Sequence, residues 1–280
     1  MMKIPAFFLM IVLISAFLFC SCGVTESTGK VPDDSEASEV MFLVIKKTET
    51  VNDDTTVTTY EYDDSGMLIK ENTDSGSKSL MHEYTYDENG NIVSDHYKSS
   101  ADEYTTIFYY GENGNIIKQY VKENPGEYLS YEYDAEGRRT KTFGYLNDKL
   151  VLEMVYTYSD GKVTVVSEGA KAGKEIGVFD EERKLLLELI NDNSHHTFEY
   201  DDYGNVVKDV MEKEDGTGYS NEYSYEYSVT GNISKKNGPS GITSYRYDNN
   251  GNLLSEITTD ETGKEISRIE YEYISLSKKS

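Results

Sequence analysis

Aromatic or aliphatic residues alternate with polar ones along most of the chain beyond residue 40, as in Tyr60-Glu-Tyr62, Tyr84-Thr-Tyr86, Tyr131-Glu-Tyr133 and Tyr245-Arg-Tyr247. A period of two puts both aromatics of each run on one side of a β-strand. Each run ends in a polar stretch closed by glycine, clearest in Asp87-Glu-Asn-Gly90-Asn91 and Asp248-Asn-Asn-Gly251-Asn252, and the whole unit recurs about every 24 residues. Self-similarity at such a period marks a repeat architecture, in which a unit covers its apolar face only by stacking on its neighbours.

The turn chemistry sets a register. Aspartate accepts hydrogen bonds from the amides that follow it, and a glycine three residues on supplies the positive φ of a three-residue hairpin loop. Asp87 then lies opposite Asn91, Tyr86 faces Ile92 and Tyr84 faces Ser94. The same count pairs Tyr62 with Leu68, Tyr110 with Ile116, Tyr200 with Val206, Tyr227 with Ile233 and Tyr247 with Leu253. It sets the outer aromatics against lysines: Tyr60 against Lys70, Phe108 against Lys118, Tyr131 against Lys141, Phe198 against Lys208 and Tyr225 against Lys235. A cation over a ring at an exposed site is worth ~0.5 kcal/mol.

The turn residues singled out are structural. They are Asp63 with Gly66, Asp87 with Gly90 and Asn91, Gly114 with Asn115, and Asp134 with Gly137. Further along come Asp201 with Gly204 and Asn205, Gly231 with Asn232, and Asp248 with Gly251 and Asn252. Copies at Tyr158 and Phe179 are worn. Second turns between copies, such as Asp74-Ser75-Gly76 and Asn147-Asp148, imply two strands per unit. The expected fold is all-β: a repeat-built meander of about twenty short antiparallel strands forming a curved, superhelical open sheet, with the aromatics on its concave or better-covered side. Glu181–Ile190, the one stretch with helical propensity, reads as strand from its place in the count.

The first 22 residues read as an export signal, with Lys3 ahead of an uncharged run from Ile4 to Phe19 that is too short to favour a membrane span. Phe19-Cys20-Ser21-Cys22 resembles a bacterial lipobox, with Cys22 the lipidation site because a small residue precedes it. A lipid on that thiol would hold the protein to a membrane. Residues 23–40 read as a flexible acidic linker, spanning about 20 to 25 Å root-mean-square, and residues 41–276 as the repeat domain. The expected location is the bacterial cell envelope, lipid-anchored and outside the cytoplasm.

Charge narrows the partners. The chain has 27 basic and 51 acidic residues, a net charge of −24, opposite to the basic stripe of a nucleic-acid binder. No phosphate-cradling glycine loop, nucleophile elbow or zinc spacing is present, and no cofactor or metal is expected. His195 and His196 are adjacent and point to opposite faces of a strand, which argues against shared ligation. The Asp-x-Asn-Gly-Asn turns are similar to calcium loops but lack the twelve-residue ligand set. Rows of exposed tyrosines could stack on sugars, although the repeat-wide register favours packing. With so many acids, a carboxylate pair at glycosidase spacing could arise by chance.

The Tyr-Asp-x-x-Gly-Asn copies at Asp87, Asp201 and Asp248 resemble the YD repeats of the rearrangement-hotspot (Rhs) proteins, also found in animal teneurins. The resemblance covers about Met41 to Tyr273 and implies a β-shell. Long members of that family wind into hollow shells that enclose a C-terminal toxin. This chain has too few units to close such a shell and stops seven residues after Tyr273. The function expected is therefore a non-catalytic scaffold or adhesion surface at the cell envelope, binding a cell-surface glycan or protein. Two alternatives stand beside it: a glycan-active hydrolase using paired carboxylates, and an accessory or remnant of an Rhs-type toxin system.

Overall fold

A computed structural model describes residues 40–169 and 173–277; the export signal, Cys22 and nearly all of the linker lie outside the described residues. Every element is a strand. In chain order they are β1 (Val40–Val51), β2 (Asp54–Tyr62), β3 (Leu68–Asp74), β4 (Ser79–Tyr86), β5 (Ile92–Ser99), β6 (Glu103–Tyr110) and β7 (Ile116–Val121). Next come β8 (Asn124–Tyr133), β9 (Arg139–Leu146), β10 (Lys149–Ser159), β11 (Lys162–Gly169), β12 (Gly173–Asp180), β13 (Leu186–Asn191) and β14 (Ser194–Tyr200). The last are β15 (Val206–Lys213), β16 (Gly218–Glu222), β17 (Ser224–Tyr227), β18 (Ile233–Gly238), β19 (Gly241–Tyr247), β20 (Leu253–Thr259) and β21 (Glu265–Ser277).

Each strand pairs antiparallel with its neighbours in sequence, so the meander read from the repeat is the one observed. β16 and β17 form one run interrupted at Tyr223, whose amide still donates to the Val207 carbonyl at 2.9 Å. The ends of the meander were expected to stay apart. Instead β1 pairs with β21 through eleven positions, from Val40↔Ser277 to Val51↔Ser267, while also pairing with β2. The sheet thereby curls round until its edges meet, which removes the exposed N–H and C=O rows of an open sheet.

The seam has the anatomy of a repeat. In the chain's own hairpins the inner aromatic faces the first residue of the return strand, as Tyr62 faces Leu68; Glu61 then faces Lys70, leaving Ile69 as an extra, bulged residue. At the seam Tyr273 faces Val44 and Glu272 faces Lys46, with Ile45 left over. Leu43-Val44-Ile45-Lys46 is thus the counterpart of Met67-Leu68-Ile69-Lys70. One unit is split between the two ends, its outgoing strand at the C-terminal side and its return strand at the N-terminal side.

The bulge also corrects the register of the outer aromatics. The inner pairs fall as counted, including Tyr86↔Ile92, Tyr110↔Ile116, Tyr200↔Val206, Tyr227↔Ile233 and Tyr247↔Leu253. One residue further on, the extra residue shifts the count. Tyr84 faces Asp95, Tyr60 faces Glu71, Phe108 faces Gln119, Tyr131 faces Thr142, Phe198 faces Asp209 and Tyr225 faces Lys236. The lysines expected opposite them sit on the other face. There Lys70, Lys141, Lys208 and Lys235 face Glu61, Glu132, Glu199 and Glu226. A two-against-one bulge is the physical reason, because it slips one strand by a single position.

The bulge explains why the inner aromatic is so often tyrosine. The ladder breaks at the residue before the extra one, and in eight places a tyrosine hydroxyl from the neighbouring strand donates to that residue's carbonyl. The donors are Tyr62 to Val44, Tyr86 to Leu68, Tyr110 to Ile92, Tyr133 to Ile116, Tyr158 to Arg139, Tyr200 to Leu186, Tyr225 to Val206 and Tyr273 to Leu253, at 2.6–2.9 Å. Satisfying a carbonyl that the ladder has released avoids the cost of leaving it bare. Seven of these donors are inner aromatics; at Val206 the outer Tyr225 serves instead, while the inner Tyr227 hydroxyl donates to Asp201 Oδ2. The Phe179 position fits the same link. The β10–β11 hairpin has a two-residue turn with Asp160 and Gly161 at φ 53 and 72 and runs without a register shift, and the next inner aromatic is Phe179, which has no hydroxyl.

Only a few apolar side chains are fully covered. Leu152, Met154, Tyr156, Val163 and Val165 form one cluster, and Leu129 with Tyr131 a second. A two-layer sandwich of this many strands would bury half of its side chains; here burial is local, as in a single-layered shell. Along each strand the tyrosine side is the covered one, while the residue between the aromatics is exposed in β2, β4, β8, β14, β17, β19 and β21. Side chains converge on the concave face of a curled sheet, so the tyrosines line the inside. Glu181–Ile190 was expected to be strand throughout; its first half, Glu181–Leu185, instead carries the chain round the turn, and only Leu186–Ile190 is strand.

Candidate binding faces

The repeat turns line one rim. In each of five, an aspartate amide donates to the carbonyl four residues on and a glycine amide returns to the aspartate carbonyl: Asp63 with Gly66, Asp87 with Gly90, Asp134 with Gly137, Asp201 with Gly204, and Asp248 with Gly251. The glycines sit at φ +78 to +88, in the left-handed region. Gly111 and Ser228 take the aspartate place in the turns that hold Gly114 and Gly231. The Asp87 Oδ1 accepts the amides of Asn89 and Asn91, and its Oδ2 accepts the Asn91 side chain at 3.0 Å. Asn205 and Asn252 do the same for Asp201 and Asp248. Asn115 instead reaches the Gly137 carbonyl of the next turn, and the Asn232 amide donates to Ser228 Oγ.

These contacts hold the carboxylates charged. Hydrogen bonds from Asn91 draw the Asp87 pKa below its ordinary value. Burial pushes Asp248 and Asp201 the other way, but the side chains of Asn252 and Tyr227 and the turn amides outweigh it. The oxygens that a calcium loop would present are used by the turn itself. Among the described residues no cluster of three or more histidine, cysteine or acidic side chains is placed to hold a metal.

The concave face carries a belt of facing pairs, one per hairpin. Passing round the ring, Phe198–Asp209, Tyr225–Lys236, Tyr245–Glu256, Tyr271–Lys47, Tyr60–Glu71, Tyr84–Asp95 and Phe108–Gln119 make a polar arc. Tyr131–Thr142, Tyr156–Val165 and Gly177–Leu189 make the remaining, less polar arc. The polar side chains are engaged: Asp95 with His82 Nδ1 at 2.8 Å, Asp209 with the Tyr223 hydroxyl at 2.6 Å, and Glu256 with the Tyr271 hydroxyl at 2.8 Å. Asp209 and burial push Tyr223 up to about 12, and burial with Glu256 nearby does the same for Tyr245. The sequence pattern did not single out these acids, because the bulge hides which face they occupy.

The convex face is mostly a band of glutamate and lysine, bridged by Lys46–Glu272 at 2.6 Å, Lys70–Glu83 at 2.9 Å and Lys235–Glu226 at 3.3 Å. Across β6 to β9 it changes character. Tyr109 and Tyr120 stack at 5.8 Å, Tyr128 and Tyr145 at 4.3 Å, and the Lys118 ammonium lies between the stacks, 4.1 Å from the Tyr128 ring and 5.9 Å from that of Tyr120. Exposed apolar side chains flank them: Ile117 at 45 % and Leu150 at 51 %, beside Tyr109 at 49 %. Lys118 has no carboxylate within ion-pair distance among the described residues, whereas its counterpart Lys141 is held by Glu153 at 3.3 Å. His195 and His196 lie on opposite faces of β14, the first near Glu188 and the second beside Phe198 and Tyr219.

Residues 227–265 match the family described as RHS Repeat. No curated protein matches the sequence. Among solved structures, the chain is similar to one in a Tc holotoxin pore from Photorhabdus luminescens (11% identity, TM-score 0.41) and to one in a TcdB2-TccC3 complex (12%, 0.43), covering 81% of this chain and 15% of the other in both cases. It is also similar to a porin-like protein from Bacteroides uniformis (11%, TM-score 0.39), covering 82% of this chain and 96% of that one. The chain thus spans about 15% of the length of the toxin chains it matches.

Proposed function

We propose that this protein is a non-catalytic β-shell, held at the cell envelope through Cys22, that binds a surface glycan through the aromatic row on its convex face. One observation carries the reading: the two sets of tyrosines have different employment. Concave tyrosines are engaged by the shell: eight cap bulge carbonyls, as Tyr86, Tyr110 and Tyr133 do, and Tyr223 and Tyr271 donate to Asp209 and Glu256. Tyr109, Tyr120, Tyr128 and Tyr145 cap none of those carbonyls, yet they stand together with an uncompensated cation on a surface otherwise given to Glu–Lys pairs. Tyrosine offers an apolar ring and a hydroxyl with little entropy to lose, which suits the mixed surface of a sugar.

Strand polarity sets the orientation that such a tether would impose. Return strands leave the turn rim, and β1 is a return strand, so Val40 emerges at that rim and a tether preceding it would direct the opposite rim outward. The glycan-hydrolase alternative finds less support. Every carboxyl group with a resolved pKa shift, Glu83, Glu123, Asp215, Asp260 and Glu265 as well as the turn aspartates, is drawn down, whereas a general acid at neutral pH needs the opposite.

The test is a glycan array and envelope-extract pulldown with residues 23–280, compared with Tyr109→Ala/Tyr145→Ala and with Lys118→Gln. Binding that drops at least tenfold in the variants, with unchanged circular dichroism, is the expected result. Equal retention by all three proteins, or hydrolysis of a bound glycan, overturns the proposal.

A further inference from the structure

The seam between β21 and β1 is unlike every other strand junction in the ring. Nine hairpins have both strands joined by a turn of the chain. The tenth is assembled from two ends that no turn connects. All of its specificity lies in side chains and register. Leu43 is 2 % exposed, Val44 offers its carbonyl to the Tyr62 hydroxyl at 2.8 Å, and Lys46 meets Glu272 at 2.6 Å. The last two repeat contacts made inside the chain, the Tyr86 hydroxyl to the Leu68 carbonyl and Lys235 to Glu226, so the acceptor formed by β21 and β2 selects a strand that offers a bulge carbonyl and, two residues on, a lysine.

We infer that this acceptor is a strand-binding site whose partner is residues 40–51 of a second copy of the chain, exchanged reciprocally. Three features argue for it. The ligand strand is a local, contiguous segment, so it can leave without breaking any other hairpin. Its only covalent link to the ring is the two-residue turn at Asn52 and Asp53, both at positive φ (48 and 73), and opening that turn into an extended hinge releases an unfavourable backbone conformation. The site vacated by one copy is chemically identical to that vacated by another, so the exchanged pair rebuilds the same eleven pairings in each ring. A second copy also fits the geometry of attachment. Given the attachment proposed above, on which this feature rests, two chains tethered from the same rim would present their β1 strands at the same height, which raises their effective concentration toward each other.

The experiment uses residues 23–280, which contain no cysteine, and the facing pair Phe42 and Ser275. The double variant Phe42→Cys/Ser275→Cys reports closure within a chain, and an equimolar mixture of Phe42→Cys and Ser275→Cys chains reports exchange. Both are warmed to just below the melting transition, cooled and oxidised. The expected results are an intramolecular disulfide in the double variant and a covalent heterodimer in the mixture, formed at least tenfold more than by mixed Glu49→Cys and Ser275→Cys controls whose positions do not face each other. Heterodimer no more abundant than the control, with the double variant closed, refutes exchange. Failure of the double variant to close overturns the seam itself. Neither outcome bears on glycan binding by β6 to β9.

Discussion

Tyr110→Phe removes one hydroxyl and nothing else. In the structure that hydroxyl donates to the Ile92 carbonyl at 2.9 Å, where the ladder between β4 and β5 is broken by Val93. Phenylalanine keeps the ring and its packing, so the change isolates the hydrogen bond. A net protein hydrogen bond contributes about 1 kcal/mol, and a partly covered acceptor left bare costs about 1–3 kcal/mol. Half-covered surroundings place the expected loss at about 1–2 kcal/mol. For a domain of this size 1 kcal/mol moves the midpoint by roughly 2–4 °C, so thermal unfolding followed by circular dichroism should show a drop of about 2–8 °C. Two controls share the experiment. Tyr109→Phe, one residue away on the convex face, should stay within about 0.5 kcal/mol of the parent. Phe179→Tyr adds a hydroxyl where β10–β11 has no bulge and should gain nothing. If Tyr110→Phe proves indistinguishable from Tyr109→Phe, or Phe179→Tyr stabilises the protein, the proposed link between bulge and tyrosine is wrong.

The turn aspartates make stability acid-sensitive in a defined window. Because the pKa values of Asp87, Asp201 and Asp248 are depressed on folding, their contribution is present above the unfolded value near 4 and lost as pH falls through the lower folded values. Melting temperature should fall below about pH 4, and Asp248→Asn should flatten that fall. His82 behaves in the opposite sense. Burial disfavours its charge, yet Asp95 at 2.8 Å and the nearby Glu71 raise its pKa overall. Its contribution is complete below about 6.5 and fades as pH rises through the folded value, a slope that Asp95→Asn should abolish in melts between pH 6 and 8. A circular permutant that joins Tyr273 to Leu43 through Asp-Glu-Asn-Gly and opens the chain at Ser75–Gly76 should fold to the same spectrum and melt no lower than the parent. Aggregation of that permutant would count against the split unit.

Much of this architecture could be read from residues alone, because Tyr-x-Tyr alternation and the glycine three residues after aspartate are local signals. Inner pairs such as Tyr86↔Ile92 and Tyr247↔Leu253 follow from turn length. What escaped was everything beyond the first bulge. Ile69 or Val93 looks like any other strand residue, but counted as extra it moves Lys70 from Tyr60 to Glu61 and brings Glu71 and Asp95 inside. Closure escaped for a different reason. Leu43-Val44-Ile45-Lys46 is half a unit without its turn, and a search for turns passes over it. The aromatic row on β6 to β9 breaks the alternation locally, with Tyr109 at the position between the two aromatics that most units give to Glu, Thr or Arg, and that departure was the signal available for it.

A ring sealed by two matching halves does not depend on how many whole units lie between them. Gain or loss of one complete unit anywhere in the gene leaves both terminal halves intact and still able to meet, while the girth changes by two strand spacings, about 10 Å. Lumen width can therefore evolve in steps by unequal recombination, with no need to reinvent the fastening each time.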